Sequence, residues 1–184
     1  TYCKSFKHDF IKAINVKEEC NLEEAYEEFL GVKILLLDSF NADKFGGTVQ
    51  ETSFYGATVK IHEPVGTIGI ACPDNYPLLG FISLFAPAVV RGNTIVIVPS
   101  EKYPLCATDL YQVFETSDVP DGVVNIITGD KNHLTKYLVE HQNIEAMWYH
   151  GDAEGSRYVE YAAAGNMKRT WVNYGHERNW MALD

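Results

Sequence analysis

The sequence lacks any Cys-x-x-Cys pair. Its four cysteines, Cys3, Cys20, Cys72 and Cys106, stand far apart and none is grouped with a histidine. This spacing excludes a zinc ribbon or a disulfide framework and fits a reducing cytosol. No apolar run approaches the ~20 residues a helix needs to cross a bilayer, because Gly, Pro or charge interrupts the longest stretches. The expectation is a soluble, cytoplasmic protein with no membrane partner. Basic residues are scarce, with 15 Lys and Arg against 25 Asp and Glu and a formal net charge of −10. Without a basic cluster, that balance repels phosphodiester backbones and argues against a nucleic-acid partner. The chain opens Thr1-Tyr2-Cys3-Lys4, without Met or an apolar leader segment, so it reads as a fragment with no secretory signal.

What is present is an ordinary globular composition, 46% hydrophobic and 22% charged over 184 residues, enough for one substantial core. Three stretches differ in periodicity. From Phe6 to Phe45, apolar residues such as Ala25, Phe29, Leu30 and Val32 recur at three- and four-residue spacings, which predicts amphipathic helices over 1–47. The run Glu18, Glu19, Glu23, Glu24, Glu27, Glu28 is the solvated face of one of them. After Gly46-Gly47, the alternating segment Thr48 to His62 predicts a β-hairpin turning at Phe54-Tyr55-Gly56. A lone hairpin is not stable in water, so this one is a candidate arm for association.

From 63 to 184, short apolar strands alternate with helical lengths. Strands are expected at Val65–Ala71, Asn93–Val98, Gly122–Thr128, Ala146–Tyr149 and Thr170–Tyr174. Helices are expected at Leu78–Arg91, Pro104–Thr116, Asn132–His141 and Ala153–Ala164. Right-handed crossovers then give a doubly wound α/β domain, a parallel sheet covered on both faces. Ligands in such folds bind beyond the carboxyl ends of the strands.

The residues at those ends carry a family resemblance. Glu63-Pro64-Val65-Gly66, Pro73-Asp74-Asn75-Tyr76-Pro77, Gly92-Asn93-Thr94, Val98-Pro99-Ser100-Glu101, Val119-Pro120-Asp121-Gly122 and Thr128-Gly129 resemble, in order and spacing, the aldehyde dehydrogenase superfamily. Met147-Trp148-Tyr149, Gly165-Asn166-Met167-Lys168 and Trp171-Val172-Asn173 look most like the degenerate second unit of family 16. The resemblance implies a Rossmann-like cofactor domain and NAD(P) as the family's cofactor. It also implies subunit pairing through hairpin 48–62, as a homo-oligomer or with a tandem dehydrogenase-like unit. The catalytic-cysteine domain lies outside this chain, so none of the four cysteines inherits the nucleophile's role, and Cys72 reads as a buried, inert thiol.

Several positions depart from the family's pattern. Asn75 keeps the oxyanion amide of P-W-N-F-P, or else caps a helix ahead of Pro77. In K-P-S-E the lysine has become Val98, while Ser100 and Glu101 remain and Glu101 could still accept from a ribose hydroxyl. Gly129-Asp130-Lys131 replaces a glycine-rich turn. F-T-G-S has become Tyr149-His150-Gly151-Asp152, which keeps Gly151 but places an aspartate at the helix N-terminus where pyrophosphate would sit. The general base of L-E-L-G-G-K has become Asn173, followed by Tyr174, Gly175 and His176. His62, His133, His141, His150 and His176 are scattered and read as surface or packing residues, with no metal site.

Three functions compete on this reading. The chain is a non-catalytic dehydrogenase-like scaffold that binds no cofactor, a segment of an active NAD(P)-dependent aldehyde dehydrogenase whose chemistry is supplied elsewhere, or a small-molecule-binding module. The substitutions at Val98, Asp152, Asn173 and His176 favour the first.

Overall fold

A computed structural model describes residues 46–51, 56–117 and 119–180. The helices expected before Gly46, and turn residues Phe54 and Tyr55, lie outside the described residues. Strands β1 (Thr48–Glu51) and β2 (Ala57–Lys60) pair antiparallel with Thr48 opposite Lys60 and Glu51 opposite Ala57. Every residue of both strands is exposed, Val49 at 70% and Val59 at 58%.

The rest forms the expected parallel sheet of β3 (Thr67–Ala71), β4 (Thr94–Val98), β5 (Val124–Ile126), β6 (Ala146–Tyr149) and β7 (Arg169–Val172). Their spatial order is β5-β4-β3-β6-β7. The direction of winding therefore reverses between β3 and β6, where Ile68 lies beside Ala146 and Ala71 beside Tyr149. β3 is buried almost throughout because neighbours flank it on both sides and helices cover both faces.

Alternation along the strands distributes the core. Ile68, Ile70, Ile95 and Ile97 face α1 (Pro77–Val90), α2 (Leu105–Thr108) and α3 (Tyr111–Glu115). Ala71, Val98, Met147 and Tyr149 face α4 (Lys131–Glu140) and α5 (Ala153–Ala163). α1 is apolar nearly all round for a local reason. Leu79, Phe81 and Leu84 are fully buried, and Phe85, one turn after Phe81 and stacked on it, places its ring 4.9 Å from that of Phe114. Burying each such side chain contributes about 2 kcal/mol, which outweighs the absence of a side-chain cap on this helix.

The single helix expected over Pro104–Thr116 is two short ones. The backbone stays right-handed helical at Asp109 and Leu110, but the Leu110 N–H donates to Ala107 O, an i−3 link that tightens the turn and separates α2 from α3. Strand bounds expected at Val65, Asn93, Gly122 and Tyr174 are shorter at those ends. At Val65 and Gly66 the N–H groups donate to Asn93 Oδ1, at 2.6 and 3.2 Å, instead of to a neighbouring strand.

Candidate functional site

The reversal point places the loops after β3 and β6 side by side, and they open into a cleft of about 390 Å³. One wall is a charged network that sequence reading did not assemble. Asp74 Oδ1 accepts from Ser100 Oγ at 2.8 Å and from the Glu101 N–H at 3.2 Å, and Lys131 Nζ lies 3.2 Å from Asp74 Oδ2. The Lys131 side chain is only 8% exposed, so its charge is compensated here and not by solvent. Burial works against the charged form of Asp74, but the Ser100 hydroxyl, the Lys131 ammonium and the Glu101 N–H outweigh it and hold the carboxyl below its usual range.

Glu101 reaches across to α4, where its Oε2 accepts from the Lys131 N–H at 3.3 Å. The Asp130 carboxylate caps the same helix, accepting from the His133 N–H at 2.6 Å. Two carboxylates thus occupy donors at the first turn of α4, the groups an anionic ligand would use.

The N-terminus of α5 is filled in the same way. Asp152 Oδ1 accepts from the Gly155 N–H at 2.7 Å and from the Tyr149 hydroxyl at 3.1 Å, and that hydroxyl lies 3.2 Å from Asn132 Oδ1. The Tyr149 ring lies so close that a Cβ added at Gly151 or Gly155 would collide with it. Burial and the Asp152 charge both push the Tyr149 hydroxyl up, so it stays protonated. The Gly151 N–H is taken as well, by Asn173 Oδ1 at 3.0 Å.

Asn173 ties the end of β7 down. Its Oδ1 also accepts from the Gly175 N–H at 3.4 Å, and its Nδ2 donates to His176 O at 3.1 Å. An amide held this way takes no proton from water. Asn75 is not the cap of α1. Tyr76 occupies that position with φ 52° and makes no side-chain cap bond, because Pro77 begins the helix and the chain reaches it through a left-handed residue. Asn75 Nδ2 instead donates to Glu177 Oε1 at 2.9 Å, closing the segment after β7 onto the loop after β3.

The floor of the cleft is His150, 2% exposed and without a hydrogen-bond partner on either ring nitrogen among the described residues. It packs edge-on against Trp171, ring centroids 4.9 Å apart, and Trp180, 5.3 Å apart. Arg178 stacks over both indoles, at 5.3 and 5.4 Å. Burial, then the nearby Arg178 and Lys131 charges, push the imidazole down to about 4, so it is neutral at physiological pH. The packing role expected of His150 is therefore present, but it leaves the nitrogens unexplained.

Cys72 ends β3 fully buried, its thiol pushed up by burial, so it is no thiolate. Among the described residues no three His, Cys, Asp or Glu side chains group as metal ligands, and no helix is long and apolar enough to cross a membrane. Of the residues expected at a cofactor site, Asn75, Glu101 and Gly151 line the cleft, whereas Ser100 is buried behind it and donates to Asp74. Sequence reading missed Asp74, Lys131, His150 and Trp180, because pairs joined across a crossover have no periodicity to reveal them. The one available signal was an aspartate in place of the motif's tryptophan.

Carboxylates already occupy donors at the first turns of both helices, Glu101 and Asp130 on α4 and Asp152 on α5. Like charges about 4 Å apart repel by ~1 kcal/mol in water and ~4 kcal/mol near a protein surface, and the helix N–H groups that would offset this are occupied. A carboxylate cap at α5 therefore works against a diphosphate at that helix end.

Comparison with known proteins places the chain. Residues 4–184 match the family model described as the aldehyde dehydrogenase family. The NADP/NAD-dependent aldehyde dehydrogenase PuuC of Escherichia coli is 36% identical over 134 residues, 72% of this chain and 27% of that protein. Betaine aldehyde dehydrogenase of Bacillus subtilis is 34% identical over 135 residues, 73% of this chain and 28% of that protein. The chain thus spans just over a quarter of these relatives' length. In fold it is similar to Staphylococcus aureus betaine aldehyde dehydrogenase solved in complex with NAD+, with a TM-score of 0.85 at 24% identity over 92% of this chain and 34% of that one. With its motifs, its winding order and this match over nearly its whole length, the chain belongs to the aldehyde dehydrogenase family.

Proposed function

We propose that this segment is a non-catalytic aldehyde dehydrogenase unit, kept for its fold and its association surfaces, of the kind found as the degenerate second unit of family 16. One observation carries the reading: Asp152 caps α5 with its own carboxylate while Tyr149 covers the same helix end. Asn173, at the general-base position, supports it, since its amide is engaged with Gly151 and His176 and offers no proton acceptor for a hydrolytic water. The exposed hairpin β1–β2, with Val49 and Val59 open, supplies an arm through which a second copy or a tandem unit pairs.

Titration of the polypeptide with NAD+ or NADP+, followed by melting temperature, tests the reading. A ligand at a hundred times its Kd stabilises the folded state by about 2.7 kcal/mol. The expectation is no saturable shift from this segment at millimolar cofactor, and a gain of cofactor affinity in Asp152→Ser, which keeps a good cap and removes the charge. Tight saturable binding that Asp152→Ser weakens would instead support a segment of an active NAD(P)-dependent dehydrogenase.

A further inference from the structure

Beyond β7 the described chain, 173–180, forms no helix or strand and crosses one side of the cleft as a strap. Its residues 174–179 are exposed, and only Trp180 at its end is buried, against the core and His150. The strap begins through two successive left-handed residues, Tyr174 at φ 52° and Gly175 at φ 78°, an unfavourable conformation for a tyrosine. Polar ties fasten it to three elements. Asn173 accepts from the Gly151 N–H, the Tyr174 N–H donates to Ser156 Oγ at 3.1 Å, and the exposed Asn75 amide donates to Glu177.

Under the strap lies a ring with nowhere to place a proton. Both nitrogens of His150 are buried and without a hydrogen-bond partner among the described residues, enclosed by Trp171 from β7 and by Trp180 and Arg178 from the strap. An imidazolium here would be a buried cation with two N–H donors and no acceptor. The charges that act on the ring are both positive, Arg178 from the strap and Lys131 from α4, while β7 presents the uncharged Trp171. The carboxylates around the cleft are engaged with other partners: Asp74 with Lys131 and Ser100, Glu101 with the Lys131 N–H, Asp152 with Gly155 and Tyr149, and Glu177 with Asn75. Once the strap is lifted, water can receive both N–H groups and screen both charges.

We propose that residues 174–180 are a proton-operated strap: a proton on His150 is accommodated when Arg178 and Trp180 lift off the ring, which frees Asn75 from Glu177 and uncovers the floor of the cleft. The device does not depend on whether the cleft holds a cofactor.

The closed ring takes a proton only near pH 4, and an exposed one near its ordinary 6.5, so between those values the open form binds the proton and the closed form does not. Opening is therefore favoured as pH falls, by about twentyfold from pH 7 to pH 5. Residue-resolved amide hydrogen exchange of the full polypeptide, corrected for the intrinsic pH dependence of exchange, tests this. The reporters are the N–H groups of Gly151 and His176, both received by Asn173, and of Tyr174, received by Ser156. They should be less protected than the N–H groups of β3 at both pH values and should lose about twentyfold in protection by pH 5. His150→Phe should abolish that loss, with His150→Leu as a second non-titrating replacement should the first not fold. His176→Gln, which removes the strap's exposed imidazole, should retain it. The proposal is overturned if the reporters are as protected as β3, since the strap then opens only with the whole sheet. It is equally overturned by protection that does not change with pH, by a loss that persists without His150, or by one that disappears in His176→Gln.

Discussion

The two ends of the five-stranded sheet solve the same problem differently. At the amino ends, side chains tie the loops by bonding backbone groups, and Asn93, which does so between β3 and α1, is buried. Asn93 holds Val65 and Gly66 through Oδ1 and Ala88 O through Nδ2, the last at 2.8 Å. Glu145 accepts from the Thr67 N–H at 2.7 Å, and Lys168 donates to His141 O and Ile144 O. At the carboxyl ends, exposed carboxylates sit on backbone donors above a buried histidine with no hydrogen-bond partner among the described residues. The buried tie at the amino ends serves the fold, whereas the carboxyl ends leave charged side chains facing a cleft. The contrast locates where the chain has been free to change its chemistry.

The largest effect that would break this contrast is expected at the amino end. Asn93→Ala removes the amide from a buried junction and leaves the Val65 and Gly66 N–H groups unmet, while the Ala88 carbonyl keeps only the Asn93 backbone N–H. That should cost about 4 kcal/mol and lower the melting temperature by roughly 12 °C. The matched change at the carboxyl end, Asn173→Ala, frees groups that water can reach and should cost only about 1 kcal/mol. Urea unfolding of the two variants decides the matter. Equal losses would mean that the two ends are tied alike.

Acid sharpens the comparison from the other side. His150 stays neutral in the fold down to about pH 4, while in the unfolded chain it takes a proton near 6.5. Between those values the unfolded state binds more protons, so stability rises with pH across the window and is lost as pH falls, by roughly 3 kcal/mol in all. Asp74, held below its usual range, adds a further loss only at lower pH, as it is protonated in the fold. Urea midpoints measured from pH 7 to pH 4 should therefore fall in the parent, and His150→Phe should flatten that part of the profile. A profile left unchanged by the substitution would show that His150 titrates normally and that its burial is of no consequence.

Much of this architecture could be read from residue order, and the reason is specific. β3 and β4 are short runs rich in Ile and Val, preceded by Gly66 and Asn93 and followed closely by Pro73 and Pro99, and β6 is the apolar run Ala-Met-Trp-Tyr, so buried parallel strands are the economical reading. The caps Asp130 and Asp152 are likewise local, three residues from the N–H groups they meet. The Asp74–Lys131 pair is not. It joins residues 57 apart, and nothing in the intervening chain states that Lys131, at the first turn of α4, turns inward. The orphan nitrogens of His150 are harder still. Their isolation is a property of Trp171, Trp180 and Arg178 closing around the ring, and no single residue encodes it. Motif departures could therefore show where the family's pattern changes but not how the surrounding side chains pack.

The smallest predicted effect separates charge from capping at α5. Asp152 serves the helix as an acceptor for the Gly155 N–H and interacts favourably with the helix dipole, and in the function proposed above the same charge also opposes phosphate in the crevice. Asp152→Ala should therefore destabilise the protein by about 1 kcal/mol, the ordinary price of a lost cap, and should also release the Tyr149 hydroxyl from one of its two acceptors. Asp152→Asn keeps the cap and should stay within a few tenths of a kcal/mol of the parent. Thermal melts of the three proteins at low and high salt distinguish the contributions. Salt should narrow the small gap between Asp and Asn by screening the dipole interaction, and leave the loss in the Ala variant nearly unchanged. If Asn proves as damaging as Ala, the charge and not the hydrogen bond holds the end of α5, and the carboxylate at this position is structural before it is exclusionary.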